Sequence, residues 1–405
     1  MDLLLDRFLR YIAVETRANP DATKTPSSEG QLTLAELLAD ELRSLELDDV
    51  NVDQYGYVTA RLPGNQGDLV PAIALIAHLD TAPDLSGLNE EVNTFVYEGG
   101  DITLQSGSVI SETDIPQLKN MVGETLITTK GDTLLGADNK AGIAIVMSAV
   151  DRLRKKDDPR GDVMVVFTPD EEIGHGADLL DLEQLGARFA FTIDGGELGE
   201  FETENFNAAS VKVDIQGRIT HPGSAKGLMV NAGLIASEFV SMLPAGQRPE
   251  LTADREGFIM LDKIDASIDE ATLSLIIRDH DKTRFAEKKA VIEEAVRYLN
   301  KKHGERIRLT IEDQYQNMAE VLVDHPYIEE LALEAMADEG VTPLRVPIRG
   351  GTDGARLTLR GLPCPNLFTG GYNFHSKTEF ASLDQMRKAV DVVTRIILNA
   401  ANKAW

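Results

Sequence analysis

The sequence predicts an α/β domain, with helices flanking a mixed sheet, interrupted by an inserted ferredoxin-like α+β domain. Three observations predict it. A chain of 405 residues exceeds what one ordinary core organises. Short apolar runs alternate with amphipathic stretches up to about residue 207 and again after 314. Between them the runs follow the order β-α-β-β-α-β, the split βαβ pattern. The expected domains are 1–207 together with 314–405, discontinuous in sequence, and 208–313 as the insertion.

Leu4, Leu5, Phe8, Leu9 and Ile12 recur at helical spacing and read as an amphipathic first helix. A second helix is expected over 31–46, then strands over 57–62 and 73–78, the latter ending at His78. A helix after Asp138 and apolar runs at 163–167 and 189–193 continue a parallel or mixed sheet. From residue 208 the expected order is strand 210–215, helix 231–243, strands 258–264 and 272–278, helix 284–300 and strand 306–312. The α/β signals resume with a helix over 325–339, a buried run at 366–368 and a final amphipathic helix from Leu383.

Composition narrows the function classes. Apolar residues make up 42% and charged residues 26%, as in ordinary globular proteins. A net charge of −27 repels phosphate backbones and anionic lipid surfaces, so nucleic acid and membrane are not expected partners. The single cysteine, Cys364, excludes an intrachain disulfide and a thiolate-based zinc site. The first residues lack the basic stretch and long apolar core of a secretion signal, and no stretch approaches the roughly 20 apolar residues that span a bilayer. A cytoplasmic location is the expectation.

Five short motifs stand where the strands end, the usual place for ligands of open α/β sheets. The first carries His78 and Asp80, two apart on an extended segment and hence on one face; a turn with a solvent-facing His is the competing reading. The second sets Asp138 between glycines before a helix, where it serves either as an N-cap or as a carboxylate bridging two metal ions. The third, Glu171-Glu172, closes an apolar strand. If extended, its two side chains point opposite ways, so one Glu ligates metal while the other addresses water; a solvated acidic pair is the plainer reading. The fourth is Asp194 before two glycines, which also suits a simple turn, and the fifth puts His375 in a glycine-rich loop.

Gathered at one place, these residues would bring together five carboxylates, a density that demands compensating charge. Lys140 and Lys377 are near in sequence, but two divalent cations neutralise the cluster better. Nitrogen and oxygen ligands favour two zinc ions, with manganese or cobalt as alternatives. Residue chemistry leaves Glu171 and Glu172 interchangeable.

Longer runs sharpen this. Glu202-Thr203-Glu204-Asn205-Phe206-Asn207-Ala208-Ala209-Ser210, His221-Pro222-Gly223-Ser224-Ala225-Lys226-Gly227, Pro347-Ile348-Arg349-Gly350-Gly351-Thr352-Asp353-Gly354-Ala355 and the segment 364–372 join the five motifs in order. With them, nearly the whole chain resembles the two-zinc aminopeptidase and carboxypeptidase superfamily. The resemblance is to its lid-bearing branch, and within that to the tripeptide aminopeptidases.

The resemblance implies a zinc-peptidase-like catalytic domain whose insertion is a lid through which a homodimer forms. It implies that His78, Asp138 and Asp194 hold one metal and Asp138, Glu172 and His375 the other, with Asp138 bridging. Glu171 becomes the general base for a water activated between the two zinc ions, and Asp80 the carboxylate behind His78. In lid-bearing relatives a His like His221 reaches the partner's site, where it would stabilise the oxyanion. A guanidinium suits a peptide's free carboxylate, which points to Arg278 and Arg349. The expected activity is release of the N-terminal residue from tripeptides. A dipeptidase, carboxypeptidase or N-acyl amino acid deacylase with the same metals is the alternative. A non-catalytic binding protein on this fold would be expected to have lost ligands that this chain keeps.

Overall fold

Runs such as 73–78, 163–168 and 189–195 are too short and too rich in β-branched and aromatic residues for helices, and both of their faces need cover. The computed structural model, which describes residues 2–89 and 91–405, places them side by side in the middle of an eight-stranded sheet. The order is Asp48–Val52, Val58–Leu62, Val163–Thr168, Ile73–His78, Phe189–Gly195, Asn366–Phe368, Glu200–Glu202 and Leu344–Arg345. The third to sixth of these run parallel, whereas the first pairs antiparallel with the second, and the second antiparallel with Val163–Thr168. The sheet is therefore mixed.

The period of two along each strand feeds two cores. Ile73, Leu75, Val163, Val165, Phe189 and Phe191 pack against helices Leu3–Ile12, Ala137–Arg154, Pro326–Asp338 and Leu383–Ala400. Ala74, Ile76, Val166 and Ala190 face the other way, onto Leu357, Leu362 and Cys364. Cys364 is a buried thiol, and burial pushes its pKa far up, so it is inert as a nucleophile.

One region was not legible as elements. Residues 84–136 include strands Asn93–Val96 and Thr125–Thr128, which join Gly371–Tyr372 and Phe380–Ser382 in a second sheet. Two further strands, Ile102–Thr103 and Val109–Ile110, pair nearby. Strands of two to four residues are too short to show alternation, and their small core is completed from residues far along the chain, Tyr372 and Phe380, stacked 5.0 Å apart. That sheet holds the loop bearing His375 between two of its strands.

The chain divides into two compact units. The first comprises Met1–Thr203, Glu320–Val346 and Thr352–Trp405; the second comprises Glu204–Ala319 and Pro347–Gly351. The second unit is thus wider than 208–313 and includes a short return segment that carries Arg349. Its sheet is antiparallel, in the order Phe258–Ala266, Glu270–Asp279, Asn207–Gln216, Ile307–Tyr315. Val211, Val213, Leu273, Leu275 and Ile277 point to one face and pack with Ile235, Phe239, Ile292 and Leu299 of its two helices. No described helix is long and apolar enough to cross a membrane.

Candidate metal centre

Parallel strands with neighbouring carboxyl ends form a natural crevice, and the register aligns His78 with Thr168 there. His78 closes its strand, Asp194 lies at the end of Phe189–Gly195, and Glu171 and Glu172 follow Val163–Thr168. Asp138 sits at the start of helix Ala137–Arg154, and His375 comes from the loop after Gly371–Tyr372.

Asp138 stands between two imidazoles. Its Oδ1 is 2.9 Å from His78 Nε2 and its Oδ2 is 3.1 Å from His375 Nε2. His78 Nε2 is also 3.3 Å from Asp194 Oδ1, and His375 Nε2 is 3.1 Å from Glu172 Oε2. Two triads result, His78–Asp138–Asp194 and Asp138–Glu172–His375, each with donor atoms within 4.8 Å of one another. Asp138 is common to both. It does not cap the helix: Gly136, at φ 77°, holds the N-cap position, and Asp138 has a non-helical backbone.

Asp80 is fully buried behind His78, with Oδ1 3.2 Å from Nδ1. Its two oxygens also accept the backbone N–H groups of Glu171 and Glu172, each at 3.0 Å. One carboxylate thereby orients an imidazole and the acidic pair together. Glu171 and Glu172 are not extended, as the opposed-face reading required. They form a single 3₁₀ turn, and that turn sends Glu172 to His375 while leaving Glu171 outside both triads. Lys140 is buried too, but its Nζ donates to the Val14 carbonyl at 2.6 Å, and burial lowers it to about 8.

Two buried carboxyls that sequence reasoning missed support this pocket. Glu379 accepts from the backbone N–H of Leu135, Gly136 and Asp138 at 2.7, 2.9 and 3.1 Å, which fixes the segment carrying Asp138. Its only signal was a charged residue abutting the apolar run that starts at Phe380. Asp353 accepts from Thr168 Oγ1 at 2.6 Å and is 3% exposed. Removing Glu379 as Glu379→Ala strands buried donors, and should lower stability by about 2–3 kcal/mol in denaturant titration. Glu379→Gln, which retains an acceptor, should lose less.

Burial raises most of these acids. It pushes Glu172, further raised by Asp138, up to about 7 and Asp194 to about 6, and holds Glu171 well above the carboxylate range. Asp138 goes the other way: burial would raise it, but hydrogen bonds from His375 and His78 outweigh that and hold it low. Those bonds raise His375 to about 11, with Glu172 adding to the effect. His78 is raised as well: burial would lower it, but Asp194, Asp138 and Asp80 outweigh that, so protons on the two rings would offset the charge of these carboxylates. A divalent ion would displace those protons and do so more effectively. The donor set fits such ions: one buried oxygen of Glu172 has no hydrogen-bond partner among the described residues, and both triads mix imidazole with carboxylate.

His221, Arg278 and Arg349 all belong to the second unit. His221 is exposed and its Nδ1 accepts the Gly223 N–H at 3.1 Å. The Arg278 guanidinium lies 5.3 Å from the Tyr315 ring centre and donates to the Ile277 carbonyl at 2.9 Å. Arg349 is more committed: it bonds the Asp254 carbonyl at 2.7 Å, the Glu256 carbonyl at 3.0 Å and Thr252 Oγ1 at 3.0 Å, over the Phe206 ring.

The sequence profile of Peptidase family M20/M25/M40 matches residues 129–399, a span that holds Asp138, Glu171, Glu172, Asp194 and His375. The chain belongs to this family. It is a peptidase, and hence a hydrolase. Family members named peptidase T match it over their full length. That of Alkaliphilus oremlandii is 49% identical over 404 residues, covering 98% of this chain and 99% of its own. That of Vibrio parahaemolyticus is 50% identical over 409 residues, covering all of both chains. Among solved structures, the aminopeptidase PepT of Bacillus cereus shares the fold, with a TM-score of 0.78 at 21% identity over 99% of each chain. A dinuclear metal binding M20 peptidase of Bacillus subtilis does so at a TM-score of 0.67 and 14% identity over 98% of each.

Proposed function

We propose that this peptidase is an aminopeptidase releasing the N-terminal residue of tripeptides, with two zinc ions as its cofactor. The observation that carries the reading is the pair of triads sharing Asp138, in a chain half identical to peptidase T from end to end. His78 and Asp194 would complete the first metal position, and Glu172 and His375 the second. Bound there, the ions would polarise the scissile carbonyl and make water acidic near neutral pH.

The chain's own residues do the rest. Glu171 has its backbone pinned by Asp80 and its carboxylate in neither triad. It takes the proton of the attacking water and passes it to the departing amine. Asp80 keeps His78 and the 171–172 turn in register through one carboxylate. Arg278 and Arg349 are assigned to the substrate's free carboxylate. Arg349 has both terminal nitrogens occupied, so Arg278 carries the larger share.

The second unit is assigned as a lid that joins two protomers, with His221 as the oxyanion donor for the partner's site. Sedimentation of the purified chain as a monomer would count against this. A cytoplasmic location fits the lone buried thiol and is checked by cell fractionation.

Incubating the purified protein with di-, tri- and tetrapeptides, with and without chelator, and weighing the products tests the activity. Tripeptides should lose their first residue, chelator should stop the reaction, and a tripeptide amide should be a poorer substrate than the free acid. Release of the last residue, or cleavage of acyl amino acids alone, would overturn the reading.

A further inference from the structure

We propose that Asp170, clamped by Ser27 and Gln31 at the start of the second helix, is a positioning residue that aims Glu171 and Glu172 into the metal centre. The inference deepens the proposed function and rests on the roles given there to the acidic pair.

Asp170 immediately precedes that pair and adopts φ 57° and ψ 31°, a left-handed backbone that non-glycine residues seldom take unless their surroundings enforce it. Its surroundings are specific. Asp170 is 1% exposed, and both its oxygens accept the Ser27 N–H, at 3.0 and 2.8 Å. Gln31 Nε2 donates to Oδ1 at 2.7 Å, while Gln31 Oε1 accepts the Asp170 backbone N–H at 3.0 Å. One carboxamide thus grips both the side chain and the main chain of Asp170. The Asp170 carbonyl accepts the His175 N–H at 2.9 Å, closing the turn on its far side.

The grip is itself anchored. Gln31 is fully buried and Ser27 Oγ accepts the Asn19 N–H at 2.9 Å. A Cβ on Gly30 would lie 1.7 Å from the Glu15 carbonyl oxygen, so only glycine lets the helix start sit so close to that segment. The turn 170–172 is therefore suspended between two buried holds: Asp80 on the N–H groups of Glu171 and Glu172, and the 27–31 segment on Asp170. Asp80 fixes how far the pair stands from His78. The Ser27–Gln31 clamp fixes the left-handed kink, and with it the direction in which both carboxylates leave the chain. A displacement near 1 Å at such a group costs about 10²-fold in rate.

The test compares Asp170→Ala, Asp170→Gly and Gln31→Leu in the metal-loaded enzyme, reading kcat, KM, bound metal and melting temperature. Asp170→Ala should lose about 10²-fold in kcat, with KM changed less than about threefold. Asp170→Gly tolerates the left-handed backbone and should recover part of that loss although it also lacks the carboxylate. Gln31→Leu should reproduce the Asp170→Ala loss, and the two together should be no worse than either alone. A folded, metal-loaded Gln31→Leu enzyme with native kcat would overturn the proposal. Should Gln31→Leu fail to fold, equal kcat for Asp170→Ala and Asp170→Gly would overturn it instead. Either result beside an inactive Glu171→Gln enzyme sinks only the clamp, whereas an active Glu171→Gln enzyme sinks the role of the base beneath it.

Discussion

Glu171→Gln is expected to lower turnover by about 10²- to 10⁴-fold while both metals stay bound. The substitution keeps shape and volume but replaces a carboxylate with an amide too weakly basic to accept a proton. Among the described residues, the hydrogen bonds that shape the turn involve its backbone and not that side chain. Its backbone N–H is held by Asp80, and Asp170 before it is held by Gln31. Its carboxyl belongs to neither triad, so metal stoichiometry should not change. The loss corresponds to about 3–5 kcal/mol of transition-state stabilisation and should fall on kcat rather than KM. Burial raises the Glu171 carboxyl well above the carboxylate range, as the proposed role of taking up and releasing a proton would favour. Native turnover in a metal-replete variant would remove Glu171 from the mechanism.

Asp138→Ala should have the opposite signature, with metal lost first and activity lost as a consequence. Each oxygen of Asp138 faces a different imidazole, and among the described residues Asp138 alone belongs to both triads. Removing it takes one ligand from each triad and leaves His78 with Asp194 alone and His375 with Glu172 alone. Two-ligand sites hold divalent ions poorly at neutral pH, where structural and catalytic zinc sites use three or four protein ligands. Metal analysis after gel filtration should find well under one equivalent per chain, and excess metal in the assay should restore little activity. A variant that kept two ions would show that Asp138 does not bridge. Its backbone N–H would still be held by Glu379, so the variant should remain folded.

Much of the framework is legible in the sequence. Runs such as 73–78 and 163–168 announce buried strands because covered faces tolerate only apolar residues, and the carboxyl end of a parallel strand is where chemistry sits. His78, Asp80, Glu171, Glu172 and Asp194 stand where apolar runs end, Asp138 lies between glycines before a helix, and His375 lies in a glycine-rich loop. The 84–136 segment gives no comparable signal, because its strands are short and part of their core is supplied from far along the chain by Tyr372 and Phe380. Glu379 was invisible for a related reason. Its partners are backbone N–H groups some 240 residues earlier, and main-chain donors leave no mark in a sequence.

By itself, then, the sequence determined that this chain builds a mixed α/β sheet, interrupted by a β-α-β-β-α-β insertion, and carries imidazoles and carboxylates suited to metal in motifs near the ends of its strands. Only the tertiary structure decided how they divide. Whether Asp138 caps a helix or stands between two histidines, and whether Glu171 or Glu172 meets His375, depends on backbone directions of a few residues. Those segments are held by long-range hydrogen bonds, with Glu379, Asp80 and Gln31 accepting backbone N–H groups and the Ser27 N–H donating to Asp170. Local propensity selects the strands that meet at the crevice, and contacts distant in sequence select the angle at which each side chain enters it.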